Sequence, residues 1–277
     1  MQNVAFSFKI MAADIVDKMV EVRDMRTIKD YNRYGNELER LLLLRTSPLA
    51  IKLLEKEEEI PEGAFRPHRD HGFHLSQCQA LAMSRRQRVS VAMLKEDQWC
   101  WAPLIGFGLV DYHAAENFDA TKNQVKVLPR LEYGKYLGII SAPLRAANFP
   151  PDLVLIYTNA AQLRSMLLTI KYKNGGLVSC QLDPINSCVY AVVDTMLKNQ
   201  YQVNLPCAGE YYRAMPGEDE LIFSVPADKV EDLVMELEQS EKMKSGYAYS
   251  SFEMRPDFPR PDFYKDLFRI WGLDIEP

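Results

Sequence analysis

With 277 residues, 47% of them hydrophobic and 26% charged, the chain has material for one large core or two smaller ones, and neither disorder nor a fibre is indicated. Its 33 basic and 38 acidic residues leave a formal charge of −5, with no long run of one sign beyond Glu55 to Glu59, which disfavours a general binder of nucleic acid or anionic membrane. No apolar run approaches the roughly 20 residues needed to span a bilayer.

The N-terminal "MQNVAFSFKIMAADIVDK" lacks both the basic start and the long apolar centre of a secretory signal, so a cytoplasmic location is expected. Ala13 to Met25 and Thr27 to Leu44 carry apolar residues at helical spacing and predict a helical pair. Pro48 then interrupts helix, and Leu49 to Leu54 reads as a short strand. Pro67 and Gly72 mark "RPHRDHGFH" as a loop. Leu75 to Arg86 is expected to be helical, with Leu75, Cys78, Leu81 and Ala82 on one face and the basic Arg85 and Arg86 at the C-terminal end, where the macrodipole favours them. Val89 to Leu94 alternates as a strand. The apolar "QWCWAPLIGFGL" must be largely buried, and Val110 to Asn148 holds short helices around Ala114 to Ala120 and Tyr133 to Gly138.

Further on, Leu153 to Tyr157 reads as a buried strand. Thr158 or Asn159 caps a helix through Leu163, Met166, Leu167 and Ile170, and Gly175 and Gly176 end it. Leu177 to Leu182, Tyr201 to Leu205 and Leu221 to Val225 are expected strands, and Cys188 to Lys198 and Asp228 to Glu238 expected helices. The aromatic and Pro-rich tail ends in a short helix at "FYKDLFRIWGL" and is expected to pack on the body. Together these elements predict an α/β or α+β protein with mixed sheets. N-terminal helices occupy 1–46, a first α/β half 47–150, a pseudo-repeated second half 151–240, and the tail 241–277.

Five cysteines, Cys78, Cys100, Cys180, Cys188 and Cys207, do not make a dense disulfide framework, so reduced thiols are the default. Four of them share one plan. Cys78 opens a helix, a strand follows, and Cys100 lies 22 residues on; Cys188 opens a helix, a strand follows, and Cys207 lies 19 residues on. Helix N-termini favour thiolate, the form that binds soft metals and iron–sulfur clusters, so Cys78, Cys100, Cys188 and Cys207 form the candidate ligand set. The plain alternative is that they pack as small apolar side chains, since no CxxC pair is present.

Three of the four histidines, His68, His71 and His74, precede Cys78, and His74 is the best placed to act as ligand or acid–base group. "PCAGEYYRAMPGEDE" reads as a polar loop that offers Glu210 and Arg213 as further site residues. Arg45 and Lys52 flank "TSPLAI" and present cations suited to a carboxylate or phosphate. No GxSxG elbow, GxGxxG or GxxxxGK[ST] loop occurs, which removes support from hydrolase, Rossmann and P-loop readings.

"LLRTSPLAIKLL", "CQALAMSRR", "DLVLIYTNAAQLRSMLLTIKY", "SCVYAVV", "LPCAGEYYRA" and "DELIFSVPADKVEDLVMELE" together resemble an uncharacterised prokaryotic family, the domain of unknown function numbered 169, over about Leu41 to Glu238. The resemblance implies an intracellular protein of a kind common in anaerobes and carries no established activity. It also implies that cysteines matching Cys78, Cys100, Cys188 and Cys207 recur, whereas Cys180 has no clear match and the histidine triplet is peculiar to this chain.

The leading expectation is therefore a cytoplasmic protein, of an oxidoreductase kind, that binds an iron–sulfur cluster or other metal through these four cysteines. His74, Glu210 and Arg213 lie nearby as proton donors or anion holders, and a small molecule or redox partner completes the reaction. A second reading is a non-redox small-molecule domain with the cysteines in the core and a pocket lined by Arg45, Trp99, Trp101, Tyr211 and Arg213. A third is an assembly partner or homo-oligomer built through the aromatic tail.

Overall fold

The computed structural model describes residues 26–178, 180, 182–247 and 262–272, so the expected helix over Ala13 to Met25 and part of the tail lie outside the described residues. Thr27 caps α1 (Ile28–Leu42). Its hydroxyl accepts the Asp30 N–H while the Asp30 carboxylate accepts the Thr27 N–H, which satisfies two donors of the first turn. Tyr31, Tyr34, Leu38, Leu41 and Leu42 form its buried stripe.

The helices that follow are α2 (Pro67–His71), α3 (Gln77–Ala82, continued by a π-helical Met83–Gln87), α4 (Trp101–Gly106), α5 (His113–Glu116), α6 (Lys122–Val127) and α7 (Ala160–Asn174). After them come α8 (Ser187–Val189, a π-helical Tyr190–Asp194, then Thr195–Lys198), α9 (Ala208–Ala214), α10 (Val230–Lys242) and α11 (Asp262–Ile270). Among the described residues no helix is long and apolar enough to cross a membrane.

Six strands form one sheet: β1 (Leu49–Leu54), β2 (Val91–Leu94), β3 (Gly138–Pro143), β4 (Leu153–Thr158), β5 (Gln202–Asn204) and β6 (Leu221–Pro226), in the order β2-β3-β1-β4-β6-β5. Every ladder is antiparallel, and parallel pairing is confined to two isolated bridges, Phe65 with Val91 and Leu75 with Gln98. The register repeats between the two halves. Leu49 pairs with Pro143 as Leu153 pairs with Pro226, and Val91 pairs with Ser141 as Gln202 pairs with Ser224. Between β1 and β4, Ala50 pairs with Val154, flanked by Leu49 with Leu155 and Ile51 with Leu153. This is the pairing left by an approximate two-fold axis through the Ala50–Val154 pair.

Alternation along the strands sorts the core into two layers. Ala50, Leu54, Val154, Ile156, Phe223 and Val225 face α1, α7 and α10. Leu49, Ile51, Leu53, Leu153, Leu155 and Tyr157 face the other way, against α3, α4 and α8, three of the four helices that begin at cysteines. Mostly apolar strands with helices on both faces give three layers.

Several expectations are corrected. Tyr133 to Gly138 is not a helix: Gly134 turns at φ 79° and Gly138 opens β3, where a Cβ would collide with the Met93 carbonyl of the neighbouring strand. The described residues of Leu177 to Leu182 belong to no strand, because both edges of β4 are taken by β1 and β6, and β5 completes that side of the sheet. Pro67 and Gly72 do not make the histidine segment a plain loop. They bracket α2, with Pro67 in its first turn and Gly72 as a left-handed C-cap at φ 72°. The segment after Cys207 is likewise a helix, α9. In the described part of the tail, Phe263, Ile270 and Trp271 are exposed.

Candidate functional site

All four cysteines of the repeated plan sit at helix starts. Cys78 and Cys188 are the second residues of α3 and α8, behind the N-caps Ser76 and Asn186; Cys100 and Cys207 are themselves the N-caps of α4 and α9. The helices cross between halves, with α3 packed on α9 and α4 on α8. The α4–α8 approach is so close that a side chain on Gly106 would collide with Val189. As a result the four thiols come within electrostatic reach of one another: Cys78, Cys100 and Cys207 all act on Cys188, and Cys100 and Cys207 on Cys78. Cys180 is exposed and stands outside the group.

Burial dominates the chemistry of three of these thiols, Cys78, Cys100 and Cys188. It pushes the Cys78 pKa up to about 12 against a hydrogen bond with Ser76 Oγ, whose oxygen lies 3.1 Å from the sulfur. It also raises Cys100, opposed by the Ala102 N–H, and lifts Cys188 well above the usual thiol range. At neutral pH Cys78, Cys100 and Cys188 are therefore held as uncharged thiols. Among the described residues no group of three or more His, Cys, Asp or Glu side chains is arranged to hold a metal ion.

A buried polar chain runs beside them. Glu210, 1% exposed, accepts hydrogen bonds from Tyr157 Oη at 2.6 Å and from Ser187 Oγ at 3.1 Å, and Ser187 Oγ in turn accepts the Cys207 N–H at 3.2 Å. Desolvation raises the Glu210 pKa above its ordinary value, although Tyr157, the Arg85 charge and Ser187 oppose the shift. The Arg85 guanidinium lies 3.8 Å from the centre of the Tyr157 ring and holds both Glu220 oxygens, at 3.1 and 3.2 Å. The chain therefore reads Glu220, Arg85, Tyr157, Glu210, Ser187, Cys207.

Of the other expected site residues, Arg213 stacks 4.2 Å over Trp99, and its charge acts to lower the Cys100 pKa. His74 is turned outward: its Nδ1 lies 2.8 Å from the Glu96 carbonyl and its ring stacks on His68 at 4.7 Å, while His71 stacks on Phe65. Arg45 and Lys52 are engaged by Asp219 and Glu59. Of the residues expected to line an aromatic pocket, Arg45 and Tyr211 line separate cavities, and Trp99 is 56% exposed with Arg213 stacked over one face. Arg85, Tyr157, Ser187 and Glu220 are the residues that sequence reasoning missed. For Arg85 a signal was present: it follows Cys78 by seven positions, on the stripe that α3 buries.

The fold and site define a class: a three-layer protein with a pseudo-symmetric antiparallel sheet and thiols from both halves gathered on one face. The profile of an uncharacterised family, domain of unknown function 169, described as ArCR, matches residues 37–236, and the chain belongs to that family. An uncharacterised protein of Methanocaldococcus jannaschii is 24% identical over 226 residues, covering 76% of this chain and 95% of the relative. No solved structure matches.

Proposed function

We propose that the chain is a cytoplasmic cofactor-binding protein whose cysteines, Cys78, Cys100, Cys188 and Cys207, hold one redox or metal group, with an iron–sulfur cluster as the best match to an all-thiol set. The observation that carries this reading is the convergence of four cysteines from both halves while the fifth is left outside. Uncharged thiols at Cys78, Cys100 and Cys188 are the expected apo state, because metal binding to cysteine releases protons and returns the stability lost by burying a thiolate. Glu210, bonded to the Ser187 that also holds the Cys207 N–H, orients that end of the site. Arg213 supplies a cation at Cys100, and His74 stands at the entrance to α3 as an outer proton donor. Five unpaired thiols suit a reducing compartment, and a small redox partner, as in anaerobic metabolism, would complete an oxidoreductase role.

Serine at each position in turn is the test. Anaerobic reconstitution with iron and sulfide is expected to load the wild type and Cys180→Ser equally and to fail in the four site variants. Equal loading of all five variants would sink the reading.

The second reading, a non-redox ligand domain with these cysteines in its core, is favoured by the raised pKa values of Cys78, Cys100 and Cys188. It predicts that the four serine variants lose stability but no bound metal.

A further inference from the structure

A second cluster lies where β1 begins and α3 ends. Arg45, Thr46 and Ser47 from one segment, and Arg85, Arg86 and Arg88 from the other, line a cavity of about 250 Å³. The two segments are tied together, because the Ser47 N–H donates to the Arg85 carbonyl at 3.2 Å and Arg85 Nη1 donates to Thr46 Oγ1 at 3.3 Å.

The charges of this cluster do not cancel. Asp219 takes Arg45 in a two-point bond at 2.6 Å, Glu220 takes Arg85, and the one carboxylate on the cavity wall, Glu39, is bonded to Arg145 at 3.1 Å. Arg86 reaches only the Met215 carbonyl, and Arg88 has no hydrogen-bond or ion-pair partner among the described residues. Two positive charges are left over at the mouth. Deeper in, Ser47 Oγ, the Nε and Nη2 atoms of Arg85 and one acceptor, Glu39 Oε1, have no hydrogen-bond partner, although Ser47 is 3% and Arg85 1% exposed; the charge of Glu39 is met by Arg145 through its other oxygen. Buried donors are rarely left unpaired, since each costs the full desolvation of the group.

We infer that this cavity binds a doubly charged phosphoryl group, either free phosphate or the terminal phosphate of a small metabolite. Forked guanidinium donors and a hydroxyl match the oxygens of a phosphate, and two uncompensated arginines match its charge. The cavity has room for little more than the anion and its nearest atoms. The inference is independent of any cofactor at the cysteines, with which it shares only Arg85.

The test is equilibrium dialysis of the full chain against radiolabelled inorganic phosphate at constant ionic strength, with unlabelled phosphate, pyrophosphate and acetate as competitors. Two variants leave the fold intact. Arg88→Asn removes an unpaired surface cation at a left-handed position (φ 62°) that asparagine tolerates. Ser47→Ala removes an unpartnered hydroxyl, so it is expected to leave the free protein as stable or more so. Saturable binding to one site is expected, displaced by pyrophosphate and not by acetate, and weakened about tenfold by each variant. Displacement by unlabelled phosphate at lower concentration than by pyrophosphate identifies the free ion, and the reverse order identifies the terminal phosphate of a metabolite. The inference is overturned if phosphate does not bind, if acetate competes as well as phosphate, or if both variants bind as the wild type does.

Discussion

Val189 occupies the space into which a side chain at Gly106 would project, so that α4 and α8 meet without a side chain on one of the two surfaces. Cys100 begins the first of these helices and Cys188 lies in the first turn of the second, so this one contact sets how closely the thiols of the two halves approach. Gly106→Ala overpacks the contact and is expected to cost about 1–3 kcal/mol in chemical denaturation. In combination with Val189→Ala the losses should add to less than their sum, because the smaller residue makes room. Strict additivity would show that the two positions do not touch.

Arg85 balances Glu220 in the interior, both at most 4% exposed. Arg85→Ala leaves that carboxylate buried without a counter-ion and removes the cation over Tyr157, so a loss of about 3–5 kcal/mol is expected. Arg86→Ala, at an exposed neighbour, is expected to change stability by about 0.5 kcal/mol or less. Comparable effects of the two substitutions would contradict the internal ion pair.

Folding favours the protonated form of Glu210, because burial raises its pKa above the ordinary 4.5. That stabilisation is complete below the ordinary value and is lost as pH rises through the raised one. Glu210→Gln is neutral throughout and retains an acceptor for Tyr157 Oη. Its stability is expected to fall less than that of the wild type as pH rises across this window, measured by denaturation at a series of pH values. Parallel profiles for the two proteins would show that Glu210 does not titrate with an elevated pKa.

The sequence exposed those parts of the protein where local pattern and environment agree. α1, α7 and α10 carry apolar stripes, the first two behind side-chain caps at Thr27 and Asn159, and β1, β4 and β6 are apolar runs of strand length, so their periodicity is visible without neighbours. β3 was hidden because glycine and proline bracket it, although both are tolerated there: Gly138 by close strand approach and Pro143 at the strand's end. The repeated plan of Cys78 with Cys100 and Cys188 with Cys207 was legible as spacing, and the sheet register repeats in the same two halves. The polar chain was not legible, since Tyr157 and Glu210 are 53 positions apart and Arg85 and Glu220 are 135. The stacking of His68 on His74 and of His71 on Phe65 was not legible either, because it depends on the turn that Pro67 and Gly72 impose on α2 and the residues after it.

The central claim is that Cys78, Cys100, Cys188 and Cys207 hold one cofactor, and the most direct test is iron and acid-labile sulfide analysis with an absorption spectrum on protein purified without oxygen. The account predicts bound iron with sulfide, thiolate-to-iron charge-transfer bands, and loss of both in Cys188→Ser. Protein free of iron and of any other thiol-bound metal, with no charge-transfer band, would contradict it.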